Sequence, residues 1–137
     1  MWKLYAVLSA VFAALTAILA KIGIKGINTN VAPAVRALVV WFVAWGIVLA
    51  SGQLKQVKEL SKTNLLFLGL SGIATGLSWI FYFKALAQGP VSKVAPIDKL
   101  SVAIAIDLSF LILKEPIDWK VLTGASLIIA GTIILLQ

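Results

Sequence analysis

VSKVAPIDKLSVAIAIDLSFLIL, residues 91–113, is apolar enough to cross a membrane, yet it contains Lys93, Asp98, Lys99 and Asp107. An ionised side chain in hydrocarbon costs at least ~2.5–3.5 kcal/mol, so such residues normally face a protein interior or a wet cavity. Pro96 precedes the Asp98–Lys99 pair. Its ring and missing N–H release the carbonyl of Ser92 from helical bonding, which is tolerable at depth only beside a cavity or a partner helix. A helix broken among mid-depth charges is an arrangement that can hold polar cargo inside a bilayer. The competing reading is an ion pair that only locks helices together.

The rest of the chain agrees with a membrane setting. Of its 137 residues, 61% are hydrophobic and 12% charged, a balance no soluble domain of this size needs. It contains neither cysteine nor histidine. That removes disulfides, thiol chemistry, imidazole acid–base work and thiolate or imidazole metal sites, so no metal or cofactor is expected. The net charge of +7 is spread at the edges and within apolar spans, so it implies no nucleic-acid surface. The run after Lys3 is longer than a usual signal-peptide core, and it reads as a retained first helix.

Charges and turn residues divide residues 1–137 into five candidate helices, at about 2–24, 31–51, 63–87, 91–113 and 119–136. Each approaches the ~20 residues a bilayer requires. Pro33 suits the first turn of the second, residues 52–62 form the longest polar connection, and Gln88-Gly89-Pro90 and residues 114–118 turn the chain. The fold class is all-α integral membrane, with short links that alternate helix direction. Small residues, among them Gly72 and Gly76, the Ala10–Ala17 stripe, and Gly124 and Gly131, mark faces where helices can touch.

Alternating helices put Lys3, Lys55, Lys58, Lys62, Lys114 and Lys120 on one side, and Lys21, Lys25, Arg36, Lys84, Lys93 and Lys99 toward the other. Orientation normally follows an imbalance of such residues, and here six face six. Without the deeper Lys99 the count is six to five, a weak bias toward N-terminus inside, so insertion both ways is the expectation. Lys21, Arg36, Lys84 and Lys93 fall near same-side ends of four helices and form a candidate basic vestibule above Pro96, or else snorkel to headgroups. Lys25 and Lys93 fit the headgroup reading; Lys84 and Lys99, each set within an otherwise apolar stretch, fit the interior. Lys84 is the expected counter-ion of Asp98. Asp98 and Asp107 lie nine residues apart, about half a revolution at ~100° per residue, so they do not form a catalytic pair.

Tyr82-Phe83-Lys84-Ala85-Leu86-Ala87-Gln88-Gly89, Val94 through Val102, Lys114-Glu115-Pro116, and the stretch between Gly124 and Gly131 resemble the five-helix EamA-type members of the drug/metabolite transporter superfamily. The resemblance covers the whole chain. It implies one half of a ten-helix inverted-repeat architecture, rebuilt by two copies as an antiparallel homodimer in the inner membrane. The stretch from Gly124 to Gly131 also resembles the last-helix dimerisation motif of small multidrug resistance proteins, so these glycines are the expected dimer contact. Those relatives bind cations through a first-helix glutamate. Residues 2–24 contain no acid, and the cavity candidates are mostly basic, which favours an anionic or zwitterionic organic solute.

The resulting expectation is a non-enzymatic carrier of small metabolites working by alternating access. Its substrate site comprises Asp98, Lys99, Lys84, Arg36, Lys21, Trp79 and Tyr82, with Pro96 as the helix break. Two rivals remain: a non-transporting subunit, or partner of a paralogous chain, whose charges serve helix pairing, and an ion channel.

Overall fold

The computed structural model describes residues 1–116 and 118–137, and every regular element in them is helical. In chain order these are α1 (Trp2–Gly23), α2 (Val31–Ala50), the single turn α3 (Leu54–Val57), α4 (Lys62–Gln88), α5 (Val91–Asp98), α6 (Leu100–Ile112) and α7 (Trp119–Leu136). Of the turn expected at 114–118, Ile117 lies outside the described residues.

Each helix ends where local chemistry ends it. Past α1, Gly26 takes φ 77°, a conformation that favours glycine. Pro33 stands in the first turn of α2, where its missing N–H has no intrahelical partner to lose. That helix stops at Ser51, whose hydroxyl donates to the Ile47 carbonyl at 2.7 Å, and Gly52 follows at φ 68°. The Ser61 hydroxyl accepts from the Asn64 N–H at 3.1 Å and caps the start of α4. Asp118 does the same for α7, accepting from the Lys120 N–H at 3.0 Å.

α1, α2, α4 and α7 are long and apolar enough to cross a membrane. Their surfaces are apolar nearly all round, with Phe12, Phe42, Phe67 and Leu127 among many exposed large side chains. A helix apolar on every side belongs in a lipid or protein interior. Their hydroxyls bond back within the helix: Thr75 to Ser71, Thr123 to Trp119 and Ser126 to Leu122, at 2.8–2.9 Å. Polar atoms satisfied this way cost little in hydrocarbon.

The segment expected as one helix over 91–113 is two. α5 has 8 residues and α6 has 13, and Lys99 joins them at φ −72°, ψ −8°. At the joint the backbone tightens: Lys99 N–H donates to the Pro96 carbonyl at 3.0 Å, and Val102 N–H to the Lys99 carbonyl at 2.9 Å. The break expected from Pro96 thus falls three residues later, on the lysine. Neither piece alone spans the ~30 Å of hydrocarbon at ~1.5 Å per residue.

The chain forms two compact units. One contains Met1–Ile18 and Gln88–Gln137, the other Leu19–Ala87. In the first, α7 packs against both α5 and α6, and Ala103, Ala125, Val94 and Thr132 are buried. Small side chains there permit the close backbone approach that drives association in lipid. In the second unit the buried residues are Ile24, Ala32, Pro33, Phe83 and Leu86.

Candidate functional site

Within the Leu19–Ala87 unit the site begins from a defect that the sequence writes into α4. The Leu86 carbonyl would ordinarily accept from the amide four residues on, but that residue is Pro90, which has no N–H. Leu86 is fully buried, so an unmet carbonyl there is costly. The Lys21 ammonium, from the last turn of α1, donates to it. A cation at a helix C-terminus also meets the negative end of the helix dipole. Lys21 therefore closes the end of α4.

Arg36 stands on α2, one turn past Pro33. Its guanidinium carbon lies 4.2 Å from the centroid of the Trp79 ring and 5.8 Å from that of Phe83. Trp79, Tyr82, Phe83 and Leu86 recur at helical spacing and make one face of α4. Tyr82, on the same face, is half-buried. The quadrupole of an aromatic face attracts the guanidinium charge.

Lys84 does not join this group. It lies about 140° around α4 from Trp79 at ~100° per residue. Its ammonium stands 6.0 Å from the centroid of the exposed Phe81 ring, and Lys84 itself is exposed. Of the vestibule expected from Lys21, Arg36, Lys84 and Lys93, the three residues of this unit resolve into an Arg36–aromatic cluster, a helix-closing Lys21 and a Lys84 on the opposite face. Lys25 and Lys93 are exposed.

In the other unit, Asp98 ends α5 and Lys99 is the joint. Their side chains pair at 3.7 Å, with Lys99 55% and Asp98 38% exposed. The interior position expected for Lys99 is not observed, and an exposed pair of neighbours contributes ~1 kcal/mol or less. Thr132 is the residue that sequence reasoning missed. It is 3% exposed, and its hydroxyl donates to the Ile128 carbonyl at 2.8 Å and reaches the Pro96 carbonyl at 3.3 Å. α7 therefore touches α5 beside the break through a polar group. The available signal was Thr132 itself, a hydroxyl next to Gly131 in an otherwise apolar run. Around Gly124 and Gly131, a Cβ would meet nothing within 4 Å. Among the described residues, no contact requires glycine at either position.

The EamA-like transporter family model matches residues 1–137. A Sinorhizobium sp protein named as an uncharacterized transporter in the cobO 3' region is 42% identical to this chain over 134 residues, covering 98% of this chain and 95% of the relative. No solved structure matches the chain. With several apolar helices long enough to cross a bilayer, a family model matched over its whole length and a transporter-named relative of nearly equal extent, the chain is a multi-pass membrane protein that belongs to the EamA-like transporter family.

Proposed function

We propose that this membrane transporter carries small organic metabolites, anionic or zwitterionic, by alternating access across the inner membrane, as an antiparallel homodimer. The observation that carries this reading is the interruption of residues 91–113 at Lys99, with Asp98 beside it and Pro96 one turn before. α5 and α6 together supply the fifth span, and a joint between two short helices permits them to tilt separately. Charges of both signs at that joint suit a carboxylate or an amino-acid-like solute. Among cytosolic metabolites such groups are common, and the formal charge of +7 disfavours organic cations.

In this reading Asp98 and Lys99 contact cargo near the joint. Arg36, Trp79 and Tyr82 form a second recognition surface. Lys84 and Lys21 complete the proposed set of charges. In a ten-helix architecture a repeat of five spans inverts its second copy, so a homodimer that rebuilds it is antiparallel, which the six-against-six distribution of basic residues permits. Gly124 and Gly131, open in the single chain, are the proposed contact between copies.

The test is counterflow in proteoliposomes with a panel of carboxylate, amino-acid and quaternary-ammonium solutes. Saturable exchange of at least one anionic or zwitterionic solute is expected, with Asp98→Asn and Lys99→Met each reducing it tenfold or more. Exchange restricted to organic cations would overturn the substrate class. Unitary currents in a planar bilayer would replace the carrier with a channel. Folded protein with neither activity would favour a subunit whose charges only pair helices.

A further inference from the structure

The Arg36 cluster poses an electrostatic question that its role in transport does not by itself answer. Within Leu19–Ala87 the basic residues are Lys21, Lys25, Arg36, Lys55, Lys58, Lys62 and Lys84, whereas the single acid is Glu59. Glu59 follows the far end of α2. From Arg36 to Ala50 alone the helix rises about 21 Å at ~1.5 Å per residue. Arg36 therefore has no carboxylate of its own unit within reach, and the one ion pair among the described residues is Lys99–Asp98.

A half-buried guanidinium on an apolar helix needs compensation. Trp79 and Phe83 supply part of it through their ring faces. Rings do not satisfy the guanidinium's five N–H donors, which lie in one plane in a fork matched to two oxygens of a carboxylate or phosphate. Arginine, unlike lysine, can rest on an aromatic ring and still present that fork. Tyr82 brings a phenol to the same face of α4.

We propose that Arg36, seated on Trp79 and beside Phe83, is a binding site for an oxyanion, a carboxylate or phosphate monoester group, held in bidentate fashion by the guanidinium. The body of the ligand would lie along the Trp79 and Phe83 rings, so the site prefers an oxyanion attached to an apolar or planar group over a bare ion. Two sources present this chemistry, a dissolved metabolite and the phosphate of an anionic lipid. The site deepens the transport reading by naming the group Arg36 recognises, and it rests on that reading only for its place in a transport cycle.

The experiment uses the full chain in phosphatidylcholine nanodiscs, titrated with inorganic phosphate and separately with benzoate at constant ionic strength. The readout is the part of the tryptophan emission that Trp79→Phe removes. Saturable change in that emission is expected, with benzoate tighter than phosphate. Arg36→Gln should weaken it tenfold or more, and Arg36→Lys by an intermediate factor. If the change appears only when phosphatidylglycerol replaces part of the phosphatidylcholine, and still depends on Arg36, the site stands and its ligand is a headgroup. If helical, folded Arg36→Gln responds as the wild type does, or neither anion nor phosphatidylglycerol alters the emission, the proposal is overturned. Should Arg36→Gln not fold, wild-type affinity in Arg36→Lys is the overturning result. Arg36-dependent binding without solute exchange would defeat the transport reading and leave the site; exchange without such binding does the reverse.

Discussion

Lys21 and Lys25 are four residues apart on the same stretch of chain, yet their environments predict opposite consequences of neutralising them. Lys25 is exposed in the turn after α1. Lys21 donates to a carbonyl that Pro90 has deprived of its helical partner, on a residue with no exposed surface. Removing the donor leaves that acceptor buried and unmet, which costs about 1–3 kcal/mol. Lys21→Met should therefore lower the unfolding free energy by that amount in a detergent denaturation series, and Lys25→Met should change it by less than about 0.5 kcal/mol. Lys21→Arg, which retains a cationic donor, should recover most of the loss. Equal effects at 21 and 25 would show that Lys21 only snorkels. Lys114 gives a second residue-level test. It is the one non-glycine residue with positive φ, at 54°, among those described, and it follows α6 where Glu115 N–H reaches back to the Ser109 carbonyl at 3.3 Å. This is the position where helices usually place glycine. Lys114→Gly should raise stability by up to about 1 kcal/mol in the same assay, because a side chain strains that conformation.

Helix existence was legible from composition and punctuation, because apolar runs of bilayer length leave the chain few alternatives. The ends of α2, α4 and α7 lie within one or two residues of where Pro33, Gly89-Pro90 and Asp118 put them. The position of the break was less legible. Pro96 was expected to disturb the turn before it, where it frees the Ser92 carbonyl. The irregularity instead falls at Lys99, downstream of the proline. The Pro96 side of the joint is also touched from 36 residues away in sequence, by the Thr132 hydroxyl at 3.3 Å, and no local pattern encodes such a partner. The same limit applies to Arg36: its position on α2 was evident, but its seat on Trp79 depends on how two helices pack. Thr132→Val tests the joint, since it keeps shape and removes the hydroxyl. Hydrogen exchange at Lys99 and Leu100 should accelerate severalfold while the centre of α4 is unchanged, and Thr132→Ser should restore protection. Uniform acceleration throughout would mean that Thr132 serves general packing and not the joint.

At the scale of the whole molecule, the proposed five-span topology divides the basic residues evenly between the two ends of the helices. Single-orientation insertion draws on an excess of lysine and arginine in the cytoplasmic segments, and six against six offers none. The connection over residues 52–62 and the end of α4 lie on opposite sides in any single orientation, because α4 separates them. Each therefore reports the complement of the other. Ser61 caps α4, so a cysteine there would disturb the helix it reports on. Gln56 and Gln88 are exposed, uncharged, and engage no cap through their side chains. In the cysteine-free chain, Gln56→Cys and Gln88→Cys each give one thiol, labelled in intact cells by a membrane-impermeant maleimide. Dual insertion predicts that about half of each pool reacts, and that adding two lysines beside residue 56 moves both fractions in opposite directions. Complete labelling of one position with complete protection of the other would fix a single orientation. An antiparallel pair of identical chains would then be impossible, and a second, differently charged chain would have to take the inverted place.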